Sequence, residues 1–445
     1  MFKLSKLLTL LVLAGLLLAA CGPQATPTEV MTEAPATEAS SSSSSAPAQP
    51  AMCMGAQPGD QLTVMYQWSG AEEESFNAIV KPLLDACGIK LVAQTNRDMA
   101  VLDTAVKSTP PDVLFWPDLR PLKLYSDKLL ALDSIGADKS NFASYWMDMG
   151  TTNGKWVAIP VKADVKSIIW YSPAQFQALG YQVPATFEDL QTLVDKMAAD
   201  NNVPWSMGFN NGGAADGWSG TDFIQDILLA TQGPDYVNGI LSGKVAYNDQ
   251  PVVDAYTLYH KWASDAKYTV GGADGTVNTK FLDAIHKVFS NPPEAMMVKQ
   301  SGFAGGEIVK EFPNLKYGTD FDFFEFPGVK GVQGGADFMY AFGNSPAAQA
   351  LVAYLTSKDG GKAWAAAGFG LSPNSGANGN YTDPQVAKLG DILANASGFT
   401  FDIGDGLGDP FATAEFKGVV DIVQGADIKA TLDTIAQAQT ETLNK

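Results

Sequence analysis

Apolar positions change regime along the chain. Leu7–Leu18 is almost wholly apolar, follows Lys3 and Lys6, and runs into Leu18-Ala19-Ala20-Cys21. That pattern predicts a secretory signal over 1–20 with a lipoprotein cleavage site. The apolar run is too short, and its flanks are wrong, for a membrane span. Residues 21–54 then alternate little but Pro, Thr, Ala, Ser and Glu, including an unbroken Ser40–Ser45. Such a stretch buries too little apolar surface to offset the entropy of ordering it, which predicts a disordered tether behind Cys21.

The pattern beyond is that of alternating strands and helices. Gln61–Trp68 carries Val64, Tyr66 and Trp68 at strand spacing. Ala71–Ala86 places Phe76, Ile79, Val80, Leu83 and Leu84 at helical spacing, with Glu72–Glu74 in the first turn and Gly88 at the stop. Ile89–Ala93 reads as a strand, Asp98–Lys107 as a helix and Asp112–Trp116 as a strand. Short links between such units are the mark of a parallel sheet covered by helices. Trp156–Val161 and Ser167–Tyr171 read as strands flanking Lys162–Lys166, a crossing between lobes. Thr186-Phe187-Glu188-Asp189 opens a helix to about Asp200 in the manner of a capping box. Pro204–Phe209 reads as a strand, Asn210–Gly220 as a Gly-rich loop, and Thr221–Thr231 and Pro251–Ala266 as helices. Glu294–Val298 and Asp322–Phe326 are expected strands, and Gly334–Phe342 an extended return segment. Helices are expected from Ser345 to Leu355, over Gly360–Ala367 and Phe411–Val423, and from Asp427 to about Gln439.

About 390 residues follow the tether, too many for one compact core and suited to two lobes. The formal charge is −19, and loss of a leader holding two lysines would take it to −21. Arg97 and Arg120 supply all the guanidinium groups. A nucleic-acid partner needs a basic face, which this composition excludes, and phosphorylated or polycarboxylate solutes would be repelled. Cys53 and Cys87 are candidates for a disulfide in an oxidising compartment, the alternative being two free thiols.

The aromatic residues carry the candidate chemistry. In open parallel sheets, ligands bind beyond the carboxyl ends of the strands. Trp68 ends the first strand, and Trp116 ends the third and is followed by Pro117 and Asp118. Trp205 leads into the Gly-rich loop, and Trp218 lies in it with Asp222 four residues on. An indole face suits the C–H face of a sugar, and a carboxylate accepts its hydroxyl hydrogens. Trp68 and Trp205 are equally compatible with core positions, whereas Trp218 in a Gly-rich loop favours a site. Lys162 and Lys166, with Asp164 between them, lie at the crossing, where they meet either solute hydroxyls or one another's counter-ions. Gln300 and Asp337 are further donors and acceptors. Trp146, Trp156, Trp170, Trp262 and Trp364 read as packing residues.

His260 and His286 are the sole histidines, each in a helical pattern. With them the sequence offers neither a nucleophile–His–acid set nor a His/Cys metal cluster, and no metal or cofactor is expected. Asp402, Asp405 and Asp409 miss the spacing of a calcium loop, which favours a solvated or ligand-facing loop. Gly404-Asp405-Gly406-Leu407-Gly408 is too loosely placed for a dinucleotide fingerprint.

From about residue 55 onward the chain resembles the family 1 extracellular solute-binding proteins of ABC importers, the maltose-binding-protein-like group. It is most similar to the branch labelled alpha-glucoside binding. The likeness is carried by VMYQWSGAEEESF, PPDVLFWPD, PVKADVKSIIWYSP, VPWSMGFNNGGAADGWSGTDFIQDILL, PEAMMVKQSGF and GGADFMYAFGNSPAAQALVAYLTS. It implies an α/β, type II-like periplasmic-binding-protein fold with a ligand cleft between two lobes. Each lobe would be a mainly parallel sheet flanked by helices. Lobe 1 is expected over 55–165 and 332–390, lobe 2 over 166–331 and 391–445. Carried over, the likeness places Trp68, Trp116, Asp118, Trp218 and Asp222 at the cleft.

The implied protein is a monomeric, non-enzymatic binder outside the cytoplasmic membrane. It would be held to the membrane through lipid on Cys21 alone, and would pass a sugar to the transmembrane subunits of an ABC permease. Three rivals remain open: a polyamine or other small solute in the same fold, a secreted glycoside hydrolase, which needs two carboxylates flanking one bond, and a purely structural surface lipoprotein with no ligand.

Overall fold

The computed structural model describes residues 50–444 except Arg97 and Ala214; the expected leader, Cys21 and most of the tether lie outside the described residues. The fold begins a few residues before the expected end of the tether. Ala51–Cys53 forms a 3-10 turn, and Cys53 is buried and disulfide-bonded to Cys87 at the end of helix Ala71–Cys87. Gly88 stops that helix in the left-handed conformation at φ 66°, where a Cβ would also meet Pro58 at 2.9 Å. The bridge closes a loop of 34 residues. Replacing both cysteines by alanine is therefore expected to cost about 2–4 kcal/mol of stability, read as the shift in urea unfolding of reduced and oxidised protein.

Five strands form the larger sheet, in the order Lys90–Thr95, Gln61–Tyr66, Val113–Trp116, Ala336–Ala341, Ala158–Ala163. The first three run parallel, joined through helices Ala71–Cys87 and Met99–Ser108 as the alternating pattern predicts. Ala336–Ala341 arrives from the far part of the chain and pairs antiparallel with both of its neighbours. The smaller sheet departs from the expected parallel arrangement. Met297–Lys299 and Asp322–Glu325 flank Ile168–Tyr171, and both run antiparallel to it. Pro204–Phe209 contributes not a strand but single bridges from Trp205 to Met297 and to Thr269.

Helix caps follow the local chemistry. Thr186 and Asp189 make the reciprocal capping box that opens Phe187–Ala199. Helix Trp218–Thr231 starts earlier than expected, with Trp218 as its first residue, and is buried on every side from Gly220 to Leu229. Asp222, Gln225 and Asp226 therefore enter the interior on it and must be paired there. Among the described residues no helix is long and apolar enough to cross a membrane.

Segments linking the two sheets meet at one place. The backbone N–H groups of Asp164 and Lys166 donate to Gly335 and Gln333. Val332–Gly334 in turn pairs in parallel with Phe399–Phe401. Residues 164–167, 332–334 and 399–401 thus lie side by side, which brings their polar side chains into one network.

Candidate functional site

The crossing carries a run of alternating charges. On the side of the larger sheet, the Lys162 ammonium lies 2.9 Å from Glu72 Oε1 and 3.7 Å from Asp337 Oδ2, and 4.4 Å over the Phe369 ring. Asp337 accepts the Trp68 indole N–H at 2.9 Å. On the other side, Lys166 Nζ is 3.0 Å from Asp402 Oδ2, 3.2 Å from Asp222 Oδ1 and 4.0 Å from Asp405. Gln333 donates to Asp222 at 2.7 Å. Deeper still, Lys299 pairs with Asp226 at 3.2 Å, and Asp226 also accepts the Ser167 hydroxyl at 2.5 Å. Asp164, bound to the Gly335 N–H, joins the two halves electrostatically, since both Lys162 and Lys166 act on its carboxyl.

Burial sets how these groups hold protons. Desolvation pushes Asp222 well above the usual carboxylate range, against the pull of Lys166 and Lys299. Burial alone would raise Asp402 too, but Lys166 and the hydrogen bond from Asp222 hold it low. Asp222 and Asp402 therefore titrate as a coupled pair, with Asp222 the one that holds a proton more tightly. Lys166 loses solvation, yet Asp222 and Asp402 raise its pKa well above the ordinary value. Asp337, whose side chain is largely enclosed, is raised chiefly by desolvation. Asp405 differs from Asp402 in access. Its side chain is 74% exposed, yet loss of solvation and the neighbouring Asp402 push it up to about 6.

An aromatic wall stands beside this network. The Trp218 and Phe281 rings meet at 5.4 Å, and Phe281 and Phe303 at 6.2 Å. Phe303 is 42% exposed, an unusual position for so large an apolar group. Lys166 Nζ lies 5.9 Å over the Trp218 ring, so wall and charges adjoin. Exposed aromatic faces next to solvent-open carboxylates suit a ligand with both C–H faces and hydroxyls.

The residues singled out from sequence divide as follows. Lys162, Asp337, Lys166 and Asp222 come together at the crossing, and Trp218 lies against them. Asp118 stands just past its strand, its carboxylate held by Arg120 at 2.6 Å. Trp116, expected at the cleft, is instead buried at 1% exposure and offers no open ring face to a ligand, and its indole N–H has no partner among the described residues. Gln300 is enclosed beside Lys299.

Two further expectations need correcting. The Trp68 ring is sealed among Tyr66, Phe76, Phe115 and Phe369, so its face is core and only its N–H reaches the polar network, through Asp337. Trp205 is 0% exposed and packs on Phe223 at 4.9 Å and Trp262 at 5.8 Å, away from any open surface. The five tryptophans read as packing residues are all buried. Missed as site candidates were Asp402 and Asp405, noticed only as a loop, together with Gln333, Lys299, Phe281 and Phe303. Their sole sequence signal was the aspartate spacing around Gly404-Asp405-Gly406.

Known proteins share this architecture. The sequence pattern of the bacterial extracellular solute-binding proteins matches residues 78–392. The alpha-glucosides-binding periplasmic protein AglE of Rhizobium meliloti (strain 1021) is 32% identical over 411 residues, spanning 86% of each chain. The osmoprotective compounds-binding protein GgtB of Synechocystis sp. (strain ATCC 27184 / PCC 6803 / Kazusa) is 27% identical, over 85% of this chain and 92% of its own. The bacterial solute receptor AcbH, described as preferring b-D-galactopyranose, superposes with a TM-score of 0.72 at 20% identity, over 87% of this chain and 100% of that one. The two-lobe α/β fold and the extent of these matches agree, and the chain belongs to the bacterial extracellular solute-binding proteins.

Proposed function

We propose that this chain captures a neutral sugar, of the alpha-glucoside or oligosaccharide class, and hands it to an ABC permease. In this reading lipid on Cys21 tethers it outside the cytoplasmic membrane. Lobe 1 (55–165 and 332–390) and lobe 2 (166–331 and 391–445) close about the crossing at 164–167, 332–334 and 399–401. The observation that carries the reading is the wall of Trp218, Phe281 and Phe303 standing beside the solvent-open carboxylates of Asp164 and Asp405. The alpha-glucoside binding named for AglE supports a hydroxylated ligand.

Trp218 stacks on the sugar ring, while Asp118, Asp164 and Asp405 accept its hydroxyl hydrogens. The Lys162 ammonium donates to its oxygens. Lys166, Asp222 and Asp337 hold the acceptors in place, and Gln300 backs the wall. A ligand bridging both lobes favours the closed form only by its preference for that form. Calorimetry against maltose, trehalose and spermidine tests the class. Heat from a sugar and none from spermidine is expected; the reverse would favour the polyamine reading, which draws on the excess of carboxylates over ammonium groups at the crossing. Product analysis after incubation with maltose and trehalose tests the hydrolase rival, and intact sugar is expected.

The raised Asp405 gives this binding a pH dependence. Its carboxyl is ionised above about 6 in the fold, against about 3.9 in an unfolded chain. Between those values the folded state holds a proton that the unfolded state has released, so this group's contribution to stability falls as pH rises through the window. A sugar hydroxyl needs the ionised form as acceptor, so affinity should move the opposite way and rise through about pH 6. Titrations at about pH 5 and about pH 7 check this. In Asp405→Asn the step should vanish, and an unchanged step would assign it to another group.

A further inference from the structure

A second cavity lies apart from the cleft residues. It occupies 270 Å³ between helix Ser144–Met149, the turn around Ser375–Ala377 and the end of helix Pro384–Asn395. Its lining includes Phe142, Tyr145, Trp146, Leu393 and Ala394, together with the exposed Ser375 and Asn378. None of the lining residues is charged, in a chain whose formal charge is −19. The lining therefore has nothing to pair with an ionic ligand.

Hydrogen-bonding capacity at the cavity is left open. The Tyr145 hydroxyl donates to no acceptor among the described residues, so its O–H is available to a ligand. The side chains of Ser375 and Asn378 make no hydrogen bond among the described residues. Aromatic edges, an apolar floor and three uncommitted polar groups match a molecule with C–H faces and several hydroxyls. The volume lies just below the range of about 300–1,000 Å³ usual for drug-sized ligands, which admits one sugar ring and little more.

We propose that this cavity is a second binding site, for a single-ring neutral polyol or monosaccharide, separate from the cleft. Both of its sides connect directly to the charged crossing. The Trp146 ring lies 4.5 Å from Phe399, on the strand that runs into Asp402. Ser372 follows Phe369 and Gly370, which pack against the Lys162 side chain. An occupant thus braces the segments that carry Lys162 and Asp402, and any effect on cleft affinity is matched by an equal effect of the cleft ligand on the cavity.

The proposal stands independently of what the cleft binds. It is tested by saturation-transfer NMR with millimolar glucose and glycerol on the full chain in a Trp218→Ala background, which removes the cleft wall. Glucose should still receive saturation there. The signal should weaken at least about tenfold when Ala394→Phe fills the cavity, and again when Tyr145→Phe and Asn378→Ala together remove its polar groups. Should Ala394→Phe fail to fold, the second pair of substitutions carries the test. Absence of saturation in Trp218→Ala, or persistence in the cavity variants, overturns the proposal. Cleft binding, followed by calorimetry on the unsubstituted chain, can succeed or fail separately.

Discussion

Lys166→Met is expected to lower the unfolding free energy by about 3–5 kcal/mol, because it strands an ionised carboxylate under protein without its counter-ion. Lys166 Nζ lies within 3.2 Å of both Asp222 and Asp402, and the side chains of all three are largely buried. Removing the ammonium removes the main force that holds Asp402 low, so its folded pKa should rise above the unfolded value. A raised acid binds its proton more readily in the folded state, so the variant should regain stability as pH falls through that new pKa. Adding Asp402→Asn should recover much of the loss at neutral pH. Urea titrations of the single and double variants decide this, and a Lys166→Met loss below about 1 kcal/mol would mean the pair behaves as a surface contact.

Trp218→Ala carries the second large effect, on binding rather than folding. Its ring is half-buried, with one edge on Phe281 and a face toward Lys166. Truncation should cost the fold about 0.5–1.5 kcal/mol from the lost aromatic pair. Removing a central stacking anchor should cost binding about 2 kcal/mol or more, some thirtyfold in dissociation constant. Calorimetry with the sugar that titrates the unsubstituted chain measures it. Trp205→Phe makes the control: a ring packed between Phe223 and Trp262 should alter stability and leave affinity alone.

Much of the fold was legible because local periodicity determines it. Ala71–Cys87, Met99–Ser108 and Phe187–Ala199 fall within a residue or two of the helices read from spacing and caps. The Lys162–Lys166 crossing was legible for a related reason: two apolar strands flank a short charged link. Strand direction in the smaller sheet was not legible, since Met297–Lys299 and Asp322–Glu325 are too short for their sequence to encode their neighbours. A strand-end tryptophan looks the same whether it faces solvent or core, and tertiary packing alone put Trp68 and Trp205 inside. Asp402 was opaque for a simpler reason. Its partner Lys166 is 236 residues away, and nothing local announces the contact.

The buried charges give the crossing its mechanical character. Lys166, Asp222, Asp402 and Gln333 come from different segments and fix the positions of 164–167, 332–334 and 399–401 relative to one another. In the proposed closure, the lobes would turn about this crossing while the buried pairs hold its segments together. Asp405 and Asp164, open to solvent at its edge, are then presented to whatever enters.

Small-angle scattering of the chain with and without a saturating sugar, chosen from those that titrate, addresses solute capture between the lobes most directly. The radius of gyration should fall on saturation in the unsubstituted chain and stay unchanged in Trp218→Ala. An identical scattering curve with and without a sugar that demonstrably binds would contradict closure, and with it the assignment of both lobes to one site.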